Sequence, residues 1–161
     1  MRVLITGVPG WLGNRSLEIL SEKAWDIRCL VMEGTPPSFI EKLPLKKKIE
    51  CVTGDVTKPL SLTAAVKDCD VVLHLVGVIH PKKISDLYGV NTQGTENLLR
   101  VCAESGVKRF IYISSNSVGG VDPSGTRLMT EEDVPRPYLH YGKSKHLVAW
   151  FQRLPSFFSR R

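Results

Sequence analysis

Glycines at positions 7, 10 and 13 follow directly on an apolar run that opens the chain, and an apolar helix pattern follows directly on them. The order is strand, glycine turn, helix start. Val3, Leu4 and Ile5 precede the turn, and Trp11, Leu12, Leu17, Ile19 and Leu20 come after it. Gly7 permits a tight exit from the strand, Gly10 lets backbone N–H groups approach a phosphate, and Gly13 lets the helix pack closely on the sheet. The helix points its partly positive N-terminus at the same spot. The turn therefore reads as a seat for a dinucleotide pyrophosphate. Its place between strand and helix is what sets it apart from an ordinary glycine-rich loop.

Beyond this turn, strand and helix patterns alternate. Strands are expected at Arg2–Thr6, Asp26–Met32, Ile49–Thr53, Asp70–Val76 and Arg109–Ser114. Helices are expected at Trp11–Glu22, Ser38–Lys42, Leu60–Lys67 and Ser85–Ser105, the last closed by Gly106, with a final helix from Tyr138. A polar loop with glycine and proline spans residues 116–137. The fourth strand is an uninterrupted apolar run, as in strands buried on both faces. Helical crossovers of this kind give an α/β fold with a parallel sheet covered on both sides. Winding of the dinucleotide-binding (Rossmann) type implies the strand order 3-2-1-4-5, with ligands at the carboxyl edge near the switch between strands one and four.

Composition narrows the partners. With 161 residues, 42% of them hydrophobic and 24% charged, the chain has enough apolar material for one globular domain. It contains nothing near the roughly 18 apolar residues of a membrane span. Met1 leads straight into the first strand without a secretory leader, so a cytoplasmic location and no membrane partner are expected. Cys29, Cys51, Cys69 and Cys102 are far apart and read as reduced structural thiols. His74, His80, His140 and His146 form no ligand cluster, so no metal is expected. The net charge of +6 is scattered over Lys46–Lys48, Lys82–Lys83, Lys108–Arg109 and Arg160–Arg161, without interleaved aromatics. That pattern argues against a nucleic-acid partner, while a basic surface still attracts an anionic cofactor.

Tyr141 and Lys145 stand four apart and share one face of a helix. A free tyrosine, with a pKa of about 10, is a poor proton donor or acceptor at neutral pH. A neighbouring ammonium favours the phenolate and brings the group into range. Ser115, at the end of the fifth strand, is placed to hold a substrate oxygen beside Tyr141. Read singly, the pair also fits a decorated surface and the serine a loop cap.

Taken together, the motifs resemble the short-chain dehydrogenase/reductase superfamily, and within it the extended branch, the NAD-dependent epimerase/dehydratase group. The resemblance runs from residue 1 to about 148. Thr6–Gly13, with Trp11 and Leu12 between the last two glycines, matches TGxxGxxG. Gly54-Asp55-Val56 is similar to the adenine-binding step, which implies that Asp55 accepts from the adenine amino group. His74-Leu75-Val76-Gly77 stands where the family has the strand end beside the nicotinamide ribose. Val90–Thr95 resembles the NVxGT helix motif and implies a proton-relay role for Asn91. Ile113-Ser114-Ser115 matches the strand end with the catalytic hydroxyl, Ser115 being the better match and Ser114 the fallback. Tyr141 and Lys145 match YxxxK. The implied cofactor contacts are Thr6, Gly7, Gly10, Trp11, Leu12, Gly13, Glu33, Asp55, Val56, His74, Val76, Gly77, Tyr141 and Lys145. The implied catalytic set is Tyr141, Lys145, Ser115 and Asn91. The implied chemistry is hydride transfer at the nicotinamide C4, with a proton moved on a hydroxyl or carbonyl of a small-molecule substrate, a nucleotide sugar or similar.

Three departures shape the remaining expectations. The second strand ends Leu30-Val31-Met32-Glu33, so Glu33 favours NAD, with NADP open because Met32 stands at the deciding position. Val118-Gly119-Gly120 replaces the usual Val-Tyr-Gly, which leaves steroid- or flavonoid-type substrates open beside sugar nucleotides. The chain also stops soon after Lys145. The expectation is an NAD(P)-binding domain over 1–149, an atypical tail over 150–161 broken by Pro155, and a missing C-terminal substrate domain. Phe151, Phe157 and Phe158 are candidates to cover the edge of the fifth strand. A homodimer through Ser85–Ser105 and the Tyr138 helix is implied by relatives. The alternative function is a non-catalytic NAD(P)-binding or redox-sensing module, or an inactive truncated form.

Overall fold

The apolar runs become five strands, β1 (Arg2–Thr6), β2 (Asp26–Val31), β3 (Glu50–Thr53), β4 (Val71–His74) and β5 (Arg109–Tyr112), in one sheet of order β3-β2-β1-β4-β5. Every neighbouring pair is parallel. A computed structural model describes residues 1–36, 38–121, 125, 129–130 and 132–152. Around the sheet lie α1 (Trp11–Ser21), α2 (Ser38–Glu41), α3 (Thr63–Val66), α4 (Ile84–Asp86), α5 (Thr95–Glu104) and α6 (His140–Gln152). Among the described residues no helix is long and apolar enough to cross a membrane. Residues 153–161, and with them Pro155, Phe157 and Phe158, lie outside the described part.

Alternation along β1 builds two cores at once. Leu4 packs with Leu30, Leu62, Val66, Val72 and Leu98 on one face. Val3 and Ile5 pack with Leu17, Ile27 and Cys29 on the other. A central parallel strand has no solvent side, which is why its sequence carries no polar alternation.

Several expected elements differ in detail: β5, expected to reach Ser114, ends at Tyr112, and α6, expected from Tyr138, starts at His140. The fourth strand ends at His74 rather than Val76 because the Leu75 N–H leaves the ladder and donates to Thr6 Oγ1 at 3.2 Å. The helix expected at Leu60–Lys67 is a 3-10 turn (Pro59–Ser61) followed by α3. The helix expected over Ser85–Ser105 is divided: between α4 and α5 the backbone widens into a π-helical segment, Leu87–Gly94. Such widened turns lodge an extra residue and are frequent where a side chain must be re-aimed. Gly106, with φ +74°, closes α5 as expected.

A buried polar chain threads this apolar interior. Thr95 Oγ1 donates to the Asn91 carbonyl at 2.7 Å, so it must accept from His74 Nε2 at 2.9 Å. His74 Nδ1 then accepts from Thr6 Oγ1 at 2.7 Å, and that hydroxyl accepts the Leu75 N–H. Burial, reinforced by the Lys145 charge, pushes the His74 pKa down to about 3, so the ring is neutral with its proton on Nε2. β1, β4 and α5 are thus joined through one imidazole.

A second buried polar group serves the other end of the sheet. Arg28 on β2 pairs with Glu50 at 2.9 Å and donates to the carbonyls of Ala64, Ala65 and Lys67, which close α3. It substitutes for the next helical turn, whose N–H groups would otherwise satisfy these oxygens.

Two outcomes follow. Arg28→Met leaves covered carbonyls unpaired and lowers unfolding free energy by about 2 kcal/mol, read from the urea midpoint. The second concerns acid. Unfolding frees His74 to bind a proton near pH 6.5, which the folded ring refuses until about pH 3. Its contribution is therefore complete above pH 6.5 and is lost as pH falls through that window, by about 1 kcal/mol per pH unit. Urea melts at pH 7 and pH 5 should show a steeper loss in the wild-type chain than in His74→Gln.

Candidate functional site

The site grows out of the turn between β1 and α1. Gly7 has φ +83°, and a Cβ there would sit 2.7 Å from the Leu75 carbonyl carbon, so the position admits only glycine. A Cβ on Gly13 would sit 2.3 Å from the Gly7 oxygen, which measures how closely α1 lies on the turn. Gly10 is the N-cap of α1 and supplies no side-chain acceptor, so the first N–H groups of that helix face outward without a capping side chain.

They face a cavity of about 690 Å³ at the carboxyl edge of the sheet. Its walls are the glycine turn (Gly7, Val8, Gly10, Trp11, Leu12, Gly13), the end of β2 (Leu30, Met32), Gly54–Thr57 after β3, Leu75–Ile79 after β4, and Val90, Ile113, Ser114, Tyr141 and Lys145. A smaller hollow of about 230 Å³, lined by residues including Asn116, Ser117, Tyr138 and Gly142, also borders Tyr141.

Lys145 is almost fully covered, 5% exposed, and donates to the Ile113 carbonyl at 3.1 Å. Burial lowers its pKa to about 8. Asn91, in the π-helical segment, binds both sides of the Val78 peptide: its Oδ1 accepts the N–H at 2.8 Å and its Nδ2 donates to the carbonyl at 3.0 Å. The same amide nitrogen donates to Ser144 Oγ at 3.0 Å, and Ser144 Oγ donates to the Tyr141 carbonyl at 2.8 Å. Thr92 Oγ1 donates to the Ser144 carbonyl at 2.8 Å. The helix carrying Tyr141 and Lys145 is thereby stapled to the loop after β4.

Of the residues singled out from sequence, Gly7, Gly10, Trp11, Leu12, Gly13, Asp55, Val56, Val76, Gly77, Tyr141 and Lys145 line one cavity. Thr6, His74 and Asn91 are fully buried behind its wall. The Asp55 carboxylate accepts from the Thr57 N–H and hydroxyl, both at 2.8 Å. Two more lie off the lining without being fully buried behind it. Glu33 is exposed on the turn Met32–Thr35, and it is Met32 that faces the cavity. Ser115 caps the 3-10 turn Asn116–Val118, its Oγ accepting the Ser117 N–H at 3.2 Å, while Ser114 faces the cavity. Thr92 and Thr95, inside the Val90–Thr95 motif, and Ser144 carry no role in the sequence reading. Their signal was helical spacing: Thr95 is one turn beyond Asn91, and Ser144 lies between Tyr141 and Lys145.

The chain is similar in sequence and fold to known proteins. An uncharacterized protein, y4nL, of Sinorhizobium fredii is 35% identical over 158 residues, covering 91% of this chain and 43% of that protein. A 3-beta-hydroxysteroid dehydrogenase of Mycolicibacterium neoaurum is 32% identical over 131 residues, covering 75% of this chain and 34% of the relative. The crystal structure of MoeE5 in complex with UDP-glucose and NAD superposes with a TM-score of 0.81 at 25% identity, over 99% of this chain and 50% of that one. The chain thus spans well under half the length of these curated relatives. The model of the NAD dependent epimerase/dehydratase family matches residues 3–154, and the chain belongs to that family.

Proposed function

We propose that the 690 Å³ cavity binds NAD and that residues 1–149 form the cofactor domain of an extended short-chain dehydrogenase/reductase acting as an oxidoreductase or epimerase. One observation carries the reading: a single cavity joins the uncapped start of α1 to Tyr141 and Lys145. The residues suit the cofactor. The glycine turn leaves backbone N–H groups open to a diphosphate. Leu30, Met32 and Val56 offer apolar sides at the adenine end, with Asp55 beside them. Val76 and Gly77 lie on the side of Tyr141 and Lys145. The charged side chains of the lining are Asp55 and Lys145, so a 2′-phosphate near Met32 finds no cation there, which supports NAD over NADP. When bound, the nicotinamide ring supplies the hydride acceptor or donor.

The chain's own residues supply the proton chemistry in this reading. Tyr141 moves a proton to or from a hydroxyl or carbonyl of the substrate. Lys145, still largely charged at neutral pH, favours its phenolate. The substrate oxygen is held by one of two adjacent hydroxyls: Ser114, which lines the cavity, or Ser115, which stands off it and whose Oγ–H makes only a long 3.4 Å contact to Asn116. Single alanine variants distinguish them. Asn91 keeps the Val78 loop and α6 in register. The substrate class is a secondary alcohol or its ketone, as in a nucleotide sugar or a hydroxysteroid, in keeping with what the named relatives handle.

Titration with NADH and NADPH, followed by nicotinamide fluorescence, should give saturable binding with NADH tighter, lost in Gly10→Val. A folded chain that binds neither dinucleotide overturns the reading. Tyr141→Phe should keep NADH affinity within about twofold. Its turnover on a panel of secondary alcohols, read as NADH formation, should fall roughly 10²–10⁴-fold.

A further inference from the structure

Tyr112 has no part in the scheme above, yet its ring lies against two of the site's buried groups. It is the last residue of β5, paired in register with His74 of β4. The two rings are 5.9 Å apart and inclined by 24°. Lys145 Nζ lies 4.7 Å from the Tyr112 ring centroid. The Tyr112 hydroxyl is covered and has no hydrogen-bond partner among the described residues. A covered hydroxyl without a partner opposes folding, so the ring and not the hydroxyl accounts for the residue.

Lys145 needs such a neighbour. Its ammonium carries three N–H donors, and among the described residues it donates to one acceptor, the Ile113 carbonyl. His74 from β4 and Tyr112 from β5 lie near it, Asn91 Oδ1 from the π-helical segment borders Gly77 beside it, and Tyr141 from its own helix lines the same cavity. None of these is a carboxylate. His74 is neutral, and burial pushes the Tyr112 hydroxyl above the usual tyrosine range, so neither supplies a negative charge at neutral pH. The negative face of an aromatic ring is then the remaining source of attraction for a desolvated cation.

We propose that Tyr112 is a positioning residue for Lys145: its ring face holds the ammonium in the charged form and aims it between the Ile113 carbonyl and Gly77. Gly77 fits this placement, because a Cβ there would lie 3.2 Å from Nζ and crowd it. That the ammonium in turn tunes Tyr141 rests on the function proposed above. The placement of the ammonium by the ring does not.

The test is the titration of Lys145 in the chain without added dinucleotide. Competitive acetylation with acetic anhydride across pH, read by mass spectrometry on the Lys145 peptide, reports that one amine. In Tyr112→Leu the Lys145 pKa should drop by about one unit, a tenfold loss of proton affinity. In Tyr112→Phe it should stay at the wild-type value. A Tyr112→Phe chain bearing three ring fluorines keeps the shape and weakens the negative face, so it should fall towards the leucine value, and it serves where leucine does not fold. An unchanged titration in both the leucine and fluorinated variants overturns the proposal. So does a Tyr112→Phe shift as large as that of leucine, which would assign the effect to the hydroxyl. NADH binding, measured on the same samples, separates the two readings. A ring-dependent Lys145 titration in a chain that binds no NADH upholds Tyr112 while removing the cofactor assignment. NADH binding with a ring-independent titration does the reverse.

Discussion

A neutral imidazole in the middle of an apolar sheet holds this site together. His74 has no access to solvent, and both of its nitrogens are committed, one to Thr6 and one to Thr95. The direction of every bond follows from one fact, the donation of Thr95 to the Asn91 carbonyl. Reversing any member would leave two donors or two acceptors facing each other at close range inside a low-dielectric core. The arrangement ties the end of β1, where the glycine turn begins, to the helix that presents Asn91. The glycine turn and the helix of Tyr141 and Lys145 are thus set in one frame although they are far apart in sequence.

The widened helical segment turns that frame into a site. Asn91 uses three of its hydrogen-bonding positions at once, two on the Val78 peptide and one on Ser144. Gly94 near the segment's end allows Val56 to approach, and a Cβ there would lie 2.7 Å from Val56 Cγ2. The same stretch therefore contacts the loop after β3, the loop after β4 and α6. Each contact is made by a glycine, a small side chain or an amide, which suits a place where two loops and a helix meet.

Much of this was legible in the sequence, for physical reasons that can be named. The sheet order was readable because apolar runs of strand length alternate with helix patterns, and parallel crossovers leave few arrangements. The glycine turn was readable because its steric demands act within a few residues of chain. Those same local rules could not place Glu33 or Ser115. Which of two adjacent residues faces the cavity depends on where a strand leaves its ladder, and neighbouring strands decide that. The turn after Val31 carries Glu33 away and leaves Met32 on the lining. At the end of β5 the capping bond to Ser117 engages Ser115 and leaves Ser114 facing the cavity. Nor does the apolar pattern over Ser85–Ser105 locate the widened turn, since it is made by backbone hydrogen bonds that most residue types can form. Tyr112 was hidden for a different reason: it reads as one more aromatic in a strand, and only its register with His74 brings it to Lys145.

The contact between Gly7 and Leu75 has a consequence for how the cavity fills. The two loops that meet there leave adjacent strands of the sheet, and their backbones are so close that not even a methyl group fits between them. Thr6 adds a bond across the same junction. Walls interlocked in this way are preorganised, and a guest that enters has little chain to order. Its affinity then depends on the contacts it makes rather than on an entropic penalty for shaping its own container.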